Sequence, residues 1–249
     1  MTDIRQRMTD GPVYGLFLVS ASALLTEAAA CAGVDWAVID MEAAAMTKAD
    51  ALHQTQALSG TGATAIVRVP CLDRHAIESA LDLGVDGVMV PKVDRVEDAE
   101  LAARCTRYPP QGSRGVNPVR ASGYFTSTAG YLATANERVL CVVQVESRES
   151  VANSGDIAAV PGVDLLFVGT GDLLMDLGQP GDPTGPAFDQ ARQTVLAACA
   201  AAGKPAGIFA PSTRLARQYA KEGFRFIAVG NEVGLFVQSA QLALNMLRK

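Results

Sequence analysis

Histidine is nearly missing from this chain: His53 and His75 are the only two in 249 residues. Both fall inside predicted helices, away from strand ends, and read as surface or packing residues. Cysteine is sparse as well. Five are scattered through the sequence with no C-x-x-C pair, which speaks against a zinc ribbon or a disulfide framework and for reduced thiols in the cytoplasm. Cys141 lies within an apolar run and reads as core filler rather than a nucleophile. There is no long basic stretch, and the net charge is −5, which argues against nucleic acid as a partner. No apolar stretch is long enough to span a bilayer, and the opening MTDIRQRMTDG has charges but no apolar h-region. No signal peptide and no membrane association are therefore expected. Nor does a G-x-G-x-x-G follow the first predicted strand, which removes the main support for a doubly wound nucleotide-binding sheet.

What is present is a repeating alternation. Apolar runs at 13–18, 35–40, 63–69, 86–90, 139–146, 163–172, 204–209 and 225–229 read as strands. They are too continuous for half-exposed strands, so a buried parallel sheet is expected. Helices are predicted between them: from a cap at Ser22 to Gly33, then 47–58, 72–83, 96–105, 187–202 and 213–222. Eight strand–helix repeats in a chain with 49% hydrophobic residues predict a single (β/α)8 barrel domain over 1–249. A last helix, 232–247, is apolar on more than one face. Such a helix packs either on its own barrel or on another subunit. The longest irregular stretch, 108–128, is rich in Gly, Pro, Ser and Arg. Long loops in compact domains are usually functional, so Arg114, Arg120, Tyr124 and Phe125 are weighed as ligand-reaching or lid residues against simple anchors of the loop.

Barrel enzymes carry their sites at the C-terminal ends of the strands. The polar residues predicted there are Asp40, Glu42, Arg68, Gln144, Glu146 and Asp172. A carboxylate directly after a buried strand is costly unless something requires it. Glu146 after VLCVVQV and Asp172 after VDLLFVGTG therefore suggest hard oxygen ligands for a divalent cation. Arg68, inside AIVRVP, has the planar fork to grip a substrate carboxylate. Its alternative is a structural salt bridge to Glu42 or Asp82. Asp176, one helical turn beyond Asp172, is set aside as too far from the strand end.

The order DWAVIDME, VRVP, LDLGVDGVMVPKV, YPPQGSRGV, QVES and FVGTGDLLMDLG resembles the HpcH/HpaI family of metal-dependent pyruvate aldolases. The likeness runs over nearly the whole chain, and the combination is far more specific than any one piece. It implies a (β/α)8 barrel assembled as a homo-oligomer, a hexameric trimer of dimers that exchange a C-terminal helix. It also implies Mg2+ or Mn2+ on Glu146 and Asp172, with Arg68 and Gln144 against a bound 2-oxo acid. Backbone amides around Gly169, Thr170 and Gly171 would hold the substrate carboxylate. The implied reaction is cleavage or formation of a C–C bond beside a 2-oxo acid, through its enolate, with an aldehyde as second substrate.

One departure stands out. The family's Asp-x-Glu-His after the second strand reads Asp40-Met41-Glu42-Ala43 here. The histidine that serves as general base, with the aspartate matched by Asp82, is absent. General-base catalysis is worth about 10²–10⁴ in rate. Three readings remain open: an aldolase whose proton moves through Glu42, Asp82 or water; a citrate synthase-like enzyme joining oxaloacetate to an acetyl-CoA enolate; or a non-catalytic paralogue that binds a 2-oxo acid.

Overall fold

The computed structural model describes residues 3–248. Strands β1 (Val13–Leu18), β2 (Trp36–Asp40), β3 (Thr64–Arg68), β4 (Gly87–Val90), β5 (Leu140–Val145), β6 (Leu165–Val168), β7 (Ala206–Phe209) and β8 (Phe226–Asn231) form a closed parallel barrel in sequence order. Pairing of β1 with β8, Val13 opposite Phe226, completes the ring and rules out an open doubly wound sheet. The helices are α1 (Ile4–Asp10), α2 (Ala23–Cys31), α3 (Lys48–Leu58), α4 (Arg74–Asp82), α5 (Val96–Thr106) and α6 (Thr128–Arg138) in the first half. Then follow α7 (Arg148–Ala152), α8 (Ser154–Ala159), α9 (Thr170–Asp176), α10 (Pro186–Ala201), α11 (Thr213–Glu222) and α12 (Glu232–Leu247).

Side chains alternate across a strand, so each strand feeds two cores. Phe17, Trp36, Val38, Ile66, Met89, Leu140, Val142, Leu165, Phe167 and Phe226 fill the barrel interior. Their neighbours, such as Leu18, Ile39, Val67, Val88 and Val143, pack outward beneath the helices. The same alternation carries the inward rows upward. Two residues beyond Val38, Ile66 and Val142 come Asp40, Arg68 and Gln144, so the apolar interior ends in a polar layer. Helix α1, which sequence periodicity did not reveal in so short a polar segment, lies at the barrel base and buries Ile4 and Met8 against the interior cluster.

The helix starts expected from Ser22 and Thr47 hold, and Ser212 caps α11 in the same way. Each side chain accepts the backbone N–H three residues on. Helices α6, α7 and α8 went unread, because α7 and α8 span five and six residues and α6 carries Gly and Thr in its first turns. Such short segments are held by packing rather than propensity.

Gly15 shows how tightly the interior is built. A Cβ there would lie 2.1 Å from the Trp36 ring, which stacks on Phe226 at 3.8 Å between centroids. Gly15→Ala should therefore destabilise the barrel by about 2–3 kcal/mol through overpacking. The urea midpoint would report it, and an unchanged midpoint would mean that the indole has room to move.

Candidate active site

The rim of the barrel is organised around Arg68. Strand register sets Asp40 directly opposite Arg68 on neighbouring strands. The guanidinium donates from Nε to Asp40 Oδ1 at 2.9 Å and from Nη2 to Oδ2 at 2.6 Å. Its third nitrogen, Nη1, faces Glu42 at 2.9 Å and Gln144 Oε1 at 3.4 Å, and the cation lies 5.0 Å from the centre of the Phe17 ring. Of the two readings of Arg68, the salt bridge is the one seen within the chain. The fork is engaged by Asp40, a partner not foreseen, and the bridge to Glu42 is real, whereas Asp82 is not a partner. All three guanidinium nitrogens already have partners within the chain, so a bidentate grip on a substrate carboxylate is not what this geometry offers. The Asp40 carboxylate also accepts the Glu42 and Ala43 amides at 3.1 and 3.2 Å, which pins the turn after β2.

Glu146 follows β5 and is 5% exposed. Its Oε1 accepts the Lys92 amide at 2.8 Å. Its Oε2 lies where a side chain on Gly169 would have to go, 2.4 Å from an ideal Cβ; only glycine fits there. Burial first, and then the negative charges of Glu42 and Asp172, raise the Glu146 carboxyl to about 7 against the lowering effects of the Lys92 hydrogen bond and the Arg68 charge. Glu42 is raised too, first by burial, with Arg68 and Lys92 pulling it down and Asp40 and Asp172 pushing it up. The mutual influence of Glu42, Glu146 and Asp172 shows three carboxylates gathered at one mouth.

Asp172 stands not on a strand but in the first turn of α9, exposed to solvent. Gly169 caps that helix, and its N–H is taken by the Val145 carbonyl at 3.1 Å. Gly169 therefore cannot donate to a substrate as the resemblance implied. The Thr170 hydroxyl donates to the Phe209 carbonyl at 2.6 Å, and the Thr170 and Gly171 amides sit in the open first turn of the helix, where no intrahelical acceptor exists.

Asp82 is not brought to this rim. It ends α4, and barrel helices run back towards the strand N-termini, so the last residue of α4 lies away from the mouth. There it accepts Arg114 Nη2 at 2.9 Å. The 108–128 loop follows α5 and for the same reason lies away from the mouth. Arg120 donates to the Leu83 carbonyl and, at 2.7 Å, to Ser59. Tyr124 and Phe125 are exposed and do not cover the site within this chain. A cavity of about 460 Å³ also lies at the base, lined by Asp3, Ser59, Asp86, Tyr131 and Arg138, well apart from the chemistry. His53 and His75 are exposed on α3 and α4, and Asp176 takes the Arg148 amide at 2.6 Å. Cys141 is buried, its thiol pushed up to about 12 by burial.

Phe17 and Lys92 are the site residues that sequence reasoning missed, and Asp40, though expected at the rim, was not foreseen as the partner of Arg68. Asp40 and Arg68 each end a predicted strand of adjacent repeats, and that was the available signal. Among the described residues, no three His, Cys, Asp or Glu side chains converge closely enough to cage an ion alone. Glu146 and Asp172 nonetheless fit a hard divalent cation that takes its other ligands from substrate and water. The donors are carboxylates, and their crowding is the kind of repulsion that a cation relieves.

A closed barrel with acids gathered around one arginine at the strand C-termini is the architecture of a (β/α)8 enzyme. The HpcH/HpaI aldolase/citrate lyase family model matches residues 13–239. The chain is 38% identical over 234 residues to the 2-dehydro-3,6-dideoxy-6-sulfogluconate aldolase of Pseudomonas putida, covering 94% of this chain and 92% of that one. It is 37% identical over 235 residues to the 5-keto-4-deoxy-D-glucarate aldolase of Escherichia coli strain K12, with 94% and 92% covered. Its fold superposes with a TM-score of 0.94 on a crystal structure of a HpcH/HpaI aldolase/citrate lyase family protein from Burkholderia cenocepacia J2315, at 40% identity and 99% coverage of both chains. The chain belongs to the HpcH/HpaI aldolase/citrate lyase family and is a carbon–carbon lyase of the aldolase type.

The raised Glu146 has a consequence for stability. The folded state holds its proton up to about pH 7, whereas an ordinary glutamate loses it near 4.5. Over that window the folded state binds more protons than the unfolded chain, so stability should fall as pH rises. At 1.36 kcal/mol per pH unit the full effect is about 3 kcal/mol. Glu146→Gln should flatten this slope in urea titrations run with EDTA; an unchanged slope would place the titration elsewhere.

Proposed function

We propose that the protein reversibly cleaves a 4-hydroxy-2-oxo acid into pyruvate, or a close 2-oxo acid, and an aldehyde, with Mg2+ or Mn2+ held by Glu146 and Asp172. The observation that carries this reading is the buried Glu146 carboxyl at the end of β5, with Arg68 and Gln144 on the same rim and Asp172 in the first turn after β6. The cation, when bound, supplies Lewis-acid stabilisation of the enolate. The chain's own residues do the rest. Arg68, oriented by Asp40, presents Nη1 to the oxygen on which negative charge develops. Gln144 lines the same pocket, and the amides of Thr170 and Gly171 meet the substrate carboxylate.

Cleavage also needs an acceptor for the proton of the 4-hydroxyl. Ala43 offers none, and Asp82 is engaged by Arg114 away from the mouth. Glu42 is the carboxylate in place, and burial raises its pKa, which makes it a stronger base than an ordinary glutamate. Aldolases at 37–38% identity favour this chemistry over condensation of oxaloacetate with acetyl-CoA. The set Arg68, Gln144, Glu146 and Asp172 favours it over a non-catalytic paralogue.

We take 1–249 as one domain working in the cytoplasm, an inference from five unpaired cysteines; no helix among the described residues is long and apolar enough to cross a membrane. We further infer a homo-oligomer, the hexamer that the family likeness implies. Helix α12 does not bury itself on its own barrel: Phe236, Leu242, Met246 and Leu247 are all exposed. Phe236→Asp combined with Leu242→Asp should yield a smaller species in sedimentation, and an unchanged mass would exclude α12 from the interface.

Mass spectrometry of 4-hydroxy-2-oxo acid digests tests the central claim. Pyruvate should appear with Mg2+ or Mn2+, vanish with EDTA, and vanish in a Glu146→Ala variant that still folds. Full turnover in that variant would remove Glu146 from the ligand set.

A further inference from the structure

The rim after β1 is held from the far end of the chain. Glu232, the first residue of α12, lies directly after β8 and is 8% exposed. Its Oε1 accepts the Val19 amide at 2.8 Å and the Ser20 amide at 2.7 Å, and its Oε2 accepts the Val19 amide at 3.0 Å. These partners are backbone amides, not a cation. A carboxylate buried in this way is costly unless its contacts serve a purpose. Capping α12 is not that purpose, because Asn231 already accepts the Gly234 amide at 2.7 Å.

The segment that Glu232 grips is strained and lies at the mouth. Ala21 has a left-handed backbone, φ 54°, which glycine adopts without penalty and alanine does not. Such strain persists where neighbouring contacts over-determine it. Here the two amides on Glu232 come before it, and the Ser22 cap of α2 comes after it. Alternation along β1 puts Phe17, whose ring centre lies 5.0 Å from the Arg68 cation, and then Val19 on the inward side. The neighbouring strand β2 ends in Asp40 and the turn that carries Glu42. Val19 and Ser20, both half-buried, are therefore the stretch of rim beside the Arg68–Asp40 pair.

We propose that Glu232 is a positioning residue for C–C bond cleavage. By clamping successive amides it fixes the β1–α2 segment as a wall of the mouth, against which the bound acid is aligned. It touches no substrate itself. This role rests on the aldolase reading above and adds to that site a residue from the far end of the chain. The groups that hold the 2-oxo-acid end are anchored elsewhere: Arg68 on Asp40, Gln144 within β5, and the amides of α9 after β6. Loss of the clamp should therefore spare binding and lower the rate.

Glu232→Ala and Glu232→Gln, compared with the intact protein in Mg2+, test this. Hydrogen–deuterium exchange over 19–22 should rise in both variants, and more with alanine. Urea midpoint and sedimenting mass report whether fold and assembly survive, and the glutamine variant keeps the side chain's size should alanine not be tolerated. With a 4-hydroxy-2-oxo acid, Glu232→Ala should lower kcat about tenfold to a hundredfold, the scale of a misplacement of about 1 Å. KM and the calorimetric affinity for pyruvate should hold. Glu232→Gln should recover part of the loss, since its amide oxygen still accepts an N–H. Unchanged exchange over 19–22 would overturn the clamp. Faster exchange with kcat intact, or a fall in kcat accompanied by lost mass or lost pyruvate binding, would make Glu232 a structural contact only. Failure of both variants to fold would do the same. An intact protein that binds pyruvate yet cleaves no 4-hydroxy-2-oxo acid would overturn the aldolase reading and this role with it.

Discussion

The pair between Asp40 and Arg68 is the interaction on which the site depends. A guanidinium at the top of an apolar barrel is tolerable only if its charge is met, and removing one partner of such a buried pair typically costs about 3–5 kcal/mol. Asp40 meets it through both oxygens and at the same time ties down the amides of Glu42 and Ala43. One carboxylate therefore orients the arginine, shapes the turn that carries the candidate base, and directs Nη1 towards Glu42 and Gln144.

A second constraint works across the mouth. Glu146 has room only because residue 169 is glycine, and its position is set by the Lys92 amide on the neighbouring strand end. The carboxylates thus come from three separate strand–helix junctions, with Glu146 held by the Lys92 amide and Glu42 by Arg68. Their like charges make the site electrostatically tense, which suits a function built on binding a cation and an anionic substrate together. The replacement of the family's histidine by Ala43 shifts the burden of proton transfer to a group already present in that tension, Glu42.

The barrel was readable because its strands are buried on both faces and its helices carry side-chain caps. Both properties are local, and they appear as apolar runs and as Ser or Thr at fixed offsets. The short helices α7 and α8 and the base-closing α1 were not readable, since their few apolar positions acquire meaning only against a partner. Glu146, Gln144 and Arg68 were legible as polar residues where an apolar strand ends. Asp82 was misplaced because a motif likeness carries no information on which end of the barrel a residue occupies in this chain. The 108–128 loop was misread for a related reason: its length and composition announced importance, but it follows a helix and lies away from the mouth.

By itself the sequence determined the alternation of strands and helices, the inward and outward faces of each strand, and the family. These follow from periodicity and from local chemistry spaced along the chain. Tertiary structure alone decided which charges meet. Register set Asp40 against Arg68, ring closure brought β1 to β8, and the turn after β4 set the Lys92 amide against Glu146. Electrostatic energy depends on distances between groups far apart in sequence, and only the closed barrel supplies those distances.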